Sequence, residues 1–160
     1  MNKKGQLLER PFIFIFTLIV GAMVFAFGFY LINNLIKTSN CSQIGLFAND
    51  LKNNVERYYS FDIGSSTEVT LKLPKNIQQV CFYSKDGYIN REVLDKINPG
   101  LYESINNLDY NLVFVPLNYC GKSLFKIEKM KPKENPLCVL NSGNIKLTIE
   151  NKGEFVEISN

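Results

Sequence analysis

Apolar residues run without a charge from Pro11 to Ile32, PFIFIFTLIVGAMVFAFGFYLI, and only Thr17 and Tyr30 interrupt them with polar groups. At ~1.5 Å per residue, a helix of that length reaches about 33 Å, enough for a hydrocarbon core of about 30 Å. The apolar positions go all round such a helix and leave no face for water. A core helix would need covering on every side, and the rest of this chain is too small to supply that. The pattern predicts a transmembrane helix over 11–32, with the lipid bilayer as its partner.

Beyond the span, Asn33 to Asn40 is polar, and then a three-and-four spacing begins. Ile44, Phe47, Leu51, Val55 and Tyr58 share one face, while Asn49, Asp50, Lys52 and Asn53 fall off it. This predicts an amphipathic stalk helix within 33–60, with Ser42 as a cap for its start. From Glu68 the period becomes two. Strands are predicted at Glu68–Leu73, Ile77–Tyr83, Asn111–Leu117, Ser123–Met130, Leu137–Leu140, Asn144–Glu150 and Glu154–Ser159. The last two form a hairpin across Asn151-Lys152-Gly153. Short helices are predicted at Arg91–Asn98 and Leu101–Leu108, on either side of Pro99-Gly100. The fold class that results is α+β: a transmembrane helix continuing into an amphipathic one, then a mainly antiparallel β domain over 61–160.

Charge orients the span. Of 18 basic and 15 acidic residues, Lys3, Lys4, Arg10, Lys37 and Glu9 flank it, and the remainder balance at fourteen of each. Lysine and arginine beside a span stay on the cytoplasmic side, so the head, 1–10, is inside and residues 33–160 are extracytoplasmic. The apolar run exceeds the roughly 7–15 residues of a secretory signal, and Asn-Asn-Leu-Ile-Lys follows it in place of a small-x-small site; the anchor is read as uncleaved there. With no basic excess on the domain, nucleic acid is not an expected partner.

Cys41, Cys81, Cys120 and Cys138 all follow the span, at separations of 40, 39 and 18 residues, and the chain has no histidine. No close ligand pair announces zinc, so no metal and no cofactor is expected. Four thiols in an extracytoplasmic domain read as two disulfides. Three pairings are open; the preferred one joins Cys81 to Cys138, which both sit in apolar strand-like runs, and leaves Cys41 with Cys120. Asn40-Cys41-Ser42 fits the glycosylation pattern, although a disulfide at Cys41 competes with it.

Lys3-Lys4-Gly5-Gln6, then Glu9, then the apolar run, resembles the leader of archaeal type IV pilin-like proteins, the class III signal peptides. The resemblance covers about the first 32 residues. It implies cleavage between Gly5 and Gln6 by a prepilin peptidase, with Gln6 as the first mature residue and the helix packing into a filament core. The family's acidic residue stands fifth in the mature chain; here Glu9 is fourth after Gly5, and Arg10 holds the fifth place. Within the span, Gly21, Ala22, Ala26 and Gly28 are small, and Ala22 and Ala26 lie one turn apart, the spacing that lets helices approach in lipid. Glu9, Gly21, Ala22 and Ala26 are therefore the expected assembly residues.

No catalytic residue is singled out. Histidine, the usual base for a Ser or Cys nucleophile, is absent, and no phosphate loop, metalloprotease helix or EF-hand occurs. Lys122, Lys126, Lys129, Lys131 and Lys133 are read as solvated strand-edge lysines. Tyr58, Tyr59, Tyr83, Tyr88, Tyr102, Tyr110 and Tyr119 are ordinary for a β domain, or line a binding surface. The expected function is structural: a pilin-like surface subunit on a cell membrane, not an enzyme, self-associating through its N-terminal helix. The alternative is a membrane-tethered binding module that never polymerises.

Overall fold

A computed structural model describes residues 6–160 except Asn98, Gly100, Leu108 and Asn118. The chain divides into two compact units, Met1–Ser39 and Asn40–Asn160. Helix α1, Gln6–Tyr59, contributes to both. The expected second helix start does not occur: Asn33 to Asn40 stays helical and Ser42 lies inside α1 rather than capping it. That stretch holds no glycine or proline to break the backbone, and the Thr38 hydroxyl donates to the Asn34 carbonyl 3.0 Å away, within the same turn.

In the second unit Ile44, Phe47, Ala48, Leu51 and Val55 of α1 are buried. Among the described residues eight strands follow. Strands β1 (Ser66–Lys72), β7 (Asn144–Asn151), β8 (Val156–Ser159) and β5 (Met130–Pro132) form one sheet in the order β1-β7-β8-β5. Strands β4 (Leu124–Phe125), β3 (Leu112–Val115), β2 (Gln79–Phe82) and β6 (Leu137–Leu140) form the other, in the order β4-β3-β2-β6. Pairing is antiparallel except between β5 and β8.

The single strand expected at 123–130 is two, in different sheets. Asn111 explains the break: its side-chain amide donates to the Ile127 carbonyl at 2.7 Å and accepts from the Ile127 N–H at 2.8 Å. The backbone of Ile127 is thereby taken out of any ladder. Lys129 then turns the chain with a positive φ of 60°.

Alternation across β2 and β3 separates two cores. Val80, Phe82, Leu112 and Phe114 join the α1 residues and the inward side chains of β7 and β8, Ile145, Leu147, Ile149, Val156 and Ile158. Cys81, Tyr83, Val113 and Val115 point the other way, onto Leu94 of α2 (Arg91–Ile97) and Leu101 and Ile105 of α3 (Leu101–Asn107). Strands covered on both faces read as continuous apolar runs, which is why QVCF and LVFV carry no alternation.

Candidate functional site

Thirteen residues or so of an ordinary helix would bury one stripe; the apolar stretch of α1 buries none. Phe14 is 75% exposed and Phe25 73%, and Leu18, Met23 and Val24 are exposed as well. By length and composition α1 qualifies to cross a membrane, and its most apolar window has no buried share. The one hydroxyl near its start is self-satisfied: Thr17 Oγ1 donates to the carbonyls of Ile13 at 2.9 Å and Phe14 at 3.0 Å. In lipid a hydroxyl without that option costs several kcal/mol, about the price of any unpaired polar group there.

Gln6 and Glu9 lie in α1, of which Gln6 is the first residue. Gly5, with Lys3 and Lys4, lies outside the described residues. The small residues Gly21, Ala22, Ala26 and Gly28 all fall on α1, and a Cβ placed at Gly21 or Gly28 meets no atom within 4 Å.

Both disulfides have the preferred pairing. Cys81 and Cys138 are direct cross-strand neighbours of β2 and β6, with Cα atoms 4.1 Å apart. Cys41 joins Cys120 at a Cα separation of 5.4 Å and ties α1 to the segment between β3 and β4. Beside this second bridge, Tyr119 accepts hydrogen bonds at its hydroxyl from Asn40 (3.2 Å) and from Asn76. The Asn40 side chain is thus engaged at the glycosylation motif, next to a bridged cysteine. No cysteine is free, and no group of three or more His, Cys, Asp or Glu able to hold a metal occurs among the described residues.

A charged cleft of about 400 Å³ has a lining that includes Lys85, Asp86, Asp109, Lys126, Lys131 and Glu154. Its cations are largely engaged. Lys126 meets Asp109 at 2.7 Å and Lys131 meets Asp86 at 2.9 Å. The Lys126 hydrogen bond holds the Asp109 carboxyl below the ordinary carboxylate range. Lys131 also lies 4.8 Å from the Phe155 ring centre, Lys129 5.2 Å from that of Tyr59, and Lys122 4.9 Å from that of Phe125. Lys122, Lys129 and Lys133 of the run are exposed beside the edge strands β4 and β5, and four of the five lysines also sit against a carboxylate or a ring. The tyrosines do not share a surface either. Tyr83 is buried, Tyr58, Tyr59 and Tyr119 pack on the first core, Tyr102 and Tyr110 on the second, and Tyr88 is exposed.

The sequence places Asn151 in a turn but does not show what it or Asn141 fastens. Asn151 donates to the carbonyls of Tyr59 and Phe61 and accepts from the Gly153 N–H; Asn141 donates to those of Pro74 and Ile77 and accepts from the Gly143 N–H. Each closes a turn and fastens a distant segment to it. Their only sequence signal is asparagine two residues before glycine, the local pattern of an Asx turn. Comparison with protein-family models, curated proteins and solved structures finds no match to this chain.

Proposed function

We propose that this chain is a single-pass membrane protein that holds a disulfide-bridged β domain outside the cell, and that it serves as a pilin-like structural subunit. The exposure of the apolar stretch of α1 carries the reading: none of its described residues is buried, so lipid or other copies of the same helix are its natural solvent. Two intact disulfides support an oxidising surrounding for the domain. Lys3-Lys4-Gly5-Gln6 supports processing at Gly5, and Ala22 and Ala26 support close helix packing in a filament of the archaeal type IV class.

The misplacement of Glu9 relative to the pilin-like leader favours a second reading, a tethered binding module that does not polymerise. Sequencing the mature amino terminus separates the two. Gln6 as first residue, together with a Gly5→Leu variant that stays unprocessed and migrates more slowly, supports the subunit. An intact head and unchanged mobility of the variant would leave only the anchor.

A further inference from the structure

Strand β1 is the longest edge in either sheet. It has seven residues, whereas the other edges are β4 with two, β5 with three and a terminal proline, and β6 with four. The Leu73 N–H bonds to the Gly143 carbonyl, and the register continues through Leu71↔Ile145, Val69↔Leu147 and Thr67↔Ile149. In an antiparallel ladder the hydrogen-bonded pairs alternate, so these odd positions turn their backbone groups to β7. Glu68, Thr70 and Lys72 turn theirs outward, and all three side chains are exposed. Proteins commonly blunt such an edge with charged side chains, a bulge, a proline or a cover. Within 66–72 there is neither proline nor bulge, and its two charges, Glu68 and Lys72, are of opposite sign, so they repel a second copy only in the registers that bring like charges together.

We propose that this edge pairs with the same edge of a second copy, antiparallel and centred on Thr70. The charge order makes the strand complementary to itself. With Thr70 opposite Thr70, Glu68 of each copy faces Lys72 of the other. The facing positions are those whose backbone groups are free, so the register that satisfies the charges also satisfies the ladder. Cross-strand opposite charges and threonine pairs both favour strand pairing. Lys146 sits 3.4 Å from Glu68 on the β7 side, so pairing places Glu68 between two cations. On the inner face Val69 meets Leu71 of the second copy beside a groove of about 440 Å³, lined by Leu46 and Phe47 of α1 along with Leu71. Leu46, 56% exposed, loses solvent there. The two-fold axis stands normal to the sheet and turns the second domain end for end. Two copies joined this way run in opposite directions, so the contact excludes parallel packing of the same two copies through Ala22 and Ala26, and its test is read separately from that of the proposed filament.

The test is oxidative cross-linking of the full chain in detergent micelles. Facing residues of a hydrogen-bonded antiparallel pair have Cα atoms about 5.5 Å apart, within disulfide reach of roughly 4.4–6.8 Å. Thr70→Cys is expected to form a covalent dimer, and Ser66→Cys, which faces Pro74 in this register, is not. Adding Glu68→Lys or Lys72→Glu to Thr70→Cys lowers the yield at least tenfold, and mixing the two charge variants restores it as a mixed dimer. Folding is checked by an unchanged melting transition. No Thr70→Cys dimer, equal cross-linking at Ser66→Cys, or a yield indifferent to the charges would each overturn the pairing.

Discussion

Tyr83 is fully buried, and its hydroxyl is the one buried side-chain oxygen or nitrogen without a hydrogen-bond partner among the described residues. Burial, with smaller contributions from Asp109 and Tyr110, pushes its pKa well above the ordinary value. The sign follows from proton binding. Below about pH 10 folded and unfolded chains both hold the phenol proton; above it the unfolded chain releases the proton and the folded one keeps it. Stability therefore falls as pH rises past the unfolded value toward the raised folded one. Tyr83→Phe removes an unsatisfied group at almost constant shape, and is expected to stabilise by about 1 kcal/mol at neutral pH and to flatten the alkaline slope. Melting curves at pH 7 and pH 10.5 read both effects. Asn111 is the opposite case, a buried amide with both ends used. Asn111→Ala strands the N–H and carbonyl of Ile127, and a loss on the order of 3 kcal/mol is expected in denaturant titration.

The two disulfides close loops of different kinds. Cys41–Cys120 spans 79 residues and Cys81–Cys138 spans 57. By the chain-entropy relation each restricts the unfolded chain by about 4 kcal/mol, so entropy does not rank them. Packing does. Cys81 is buried between β2 and the α2–α3 layer, and replacing the pair with alanines also removes sulfur atoms from that core. The Cys81→Ala/Cys138→Ala variant is expected to lose more stability than Cys41→Ser/Cys120→Ser, by about 1–2 kcal/mol, read as a lower urea midpoint at similar slope. The same elements show where sequence pattern was sufficient. Alternation in VTLKL and IKLTI located β1 and β7 because each has one buried face, and apolar runs located β2 and β3 because each has two. Pattern failed at 123–130, since a side chain sixteen residues away decides where the strand breaks. It also offered Ser42 as a helix cap inside α1, since a polar stretch weakens the apolar signal without containing any residue that stops a helix. The leader and assembly residues were legible as a motif only. Gly5 lies outside the described residues, and a Cβ placed at Gly21 or Gly28 meets no described atom within 4 Å.

From Phe12 to Ile32 α1 exposes apolar side chains, whereas the second unit carries a balanced charge over two buried cores, so the two suit different solvents. If this helix anchors the chain, as proposed, its residues decide membrane retention. A Leu, Ile, Phe or Val near the middle of an inserted helix contributes about −0.3 to −0.6 kcal/mol, and a Lys there costs about 3 kcal/mol. Two central lysines therefore offset most of what the apolar side chains provide. Val20→Lys/Val24→Lys is expected to move the chain from a carbonate-washed membrane pellet to the supernatant. The residues of the second unit's cores lie elsewhere in the chain, so both disulfides should still form, which alkylation under non-reducing conditions would count. A double variant that still resisted carbonate extraction would show that something other than this helix holds the protein to the bilayer.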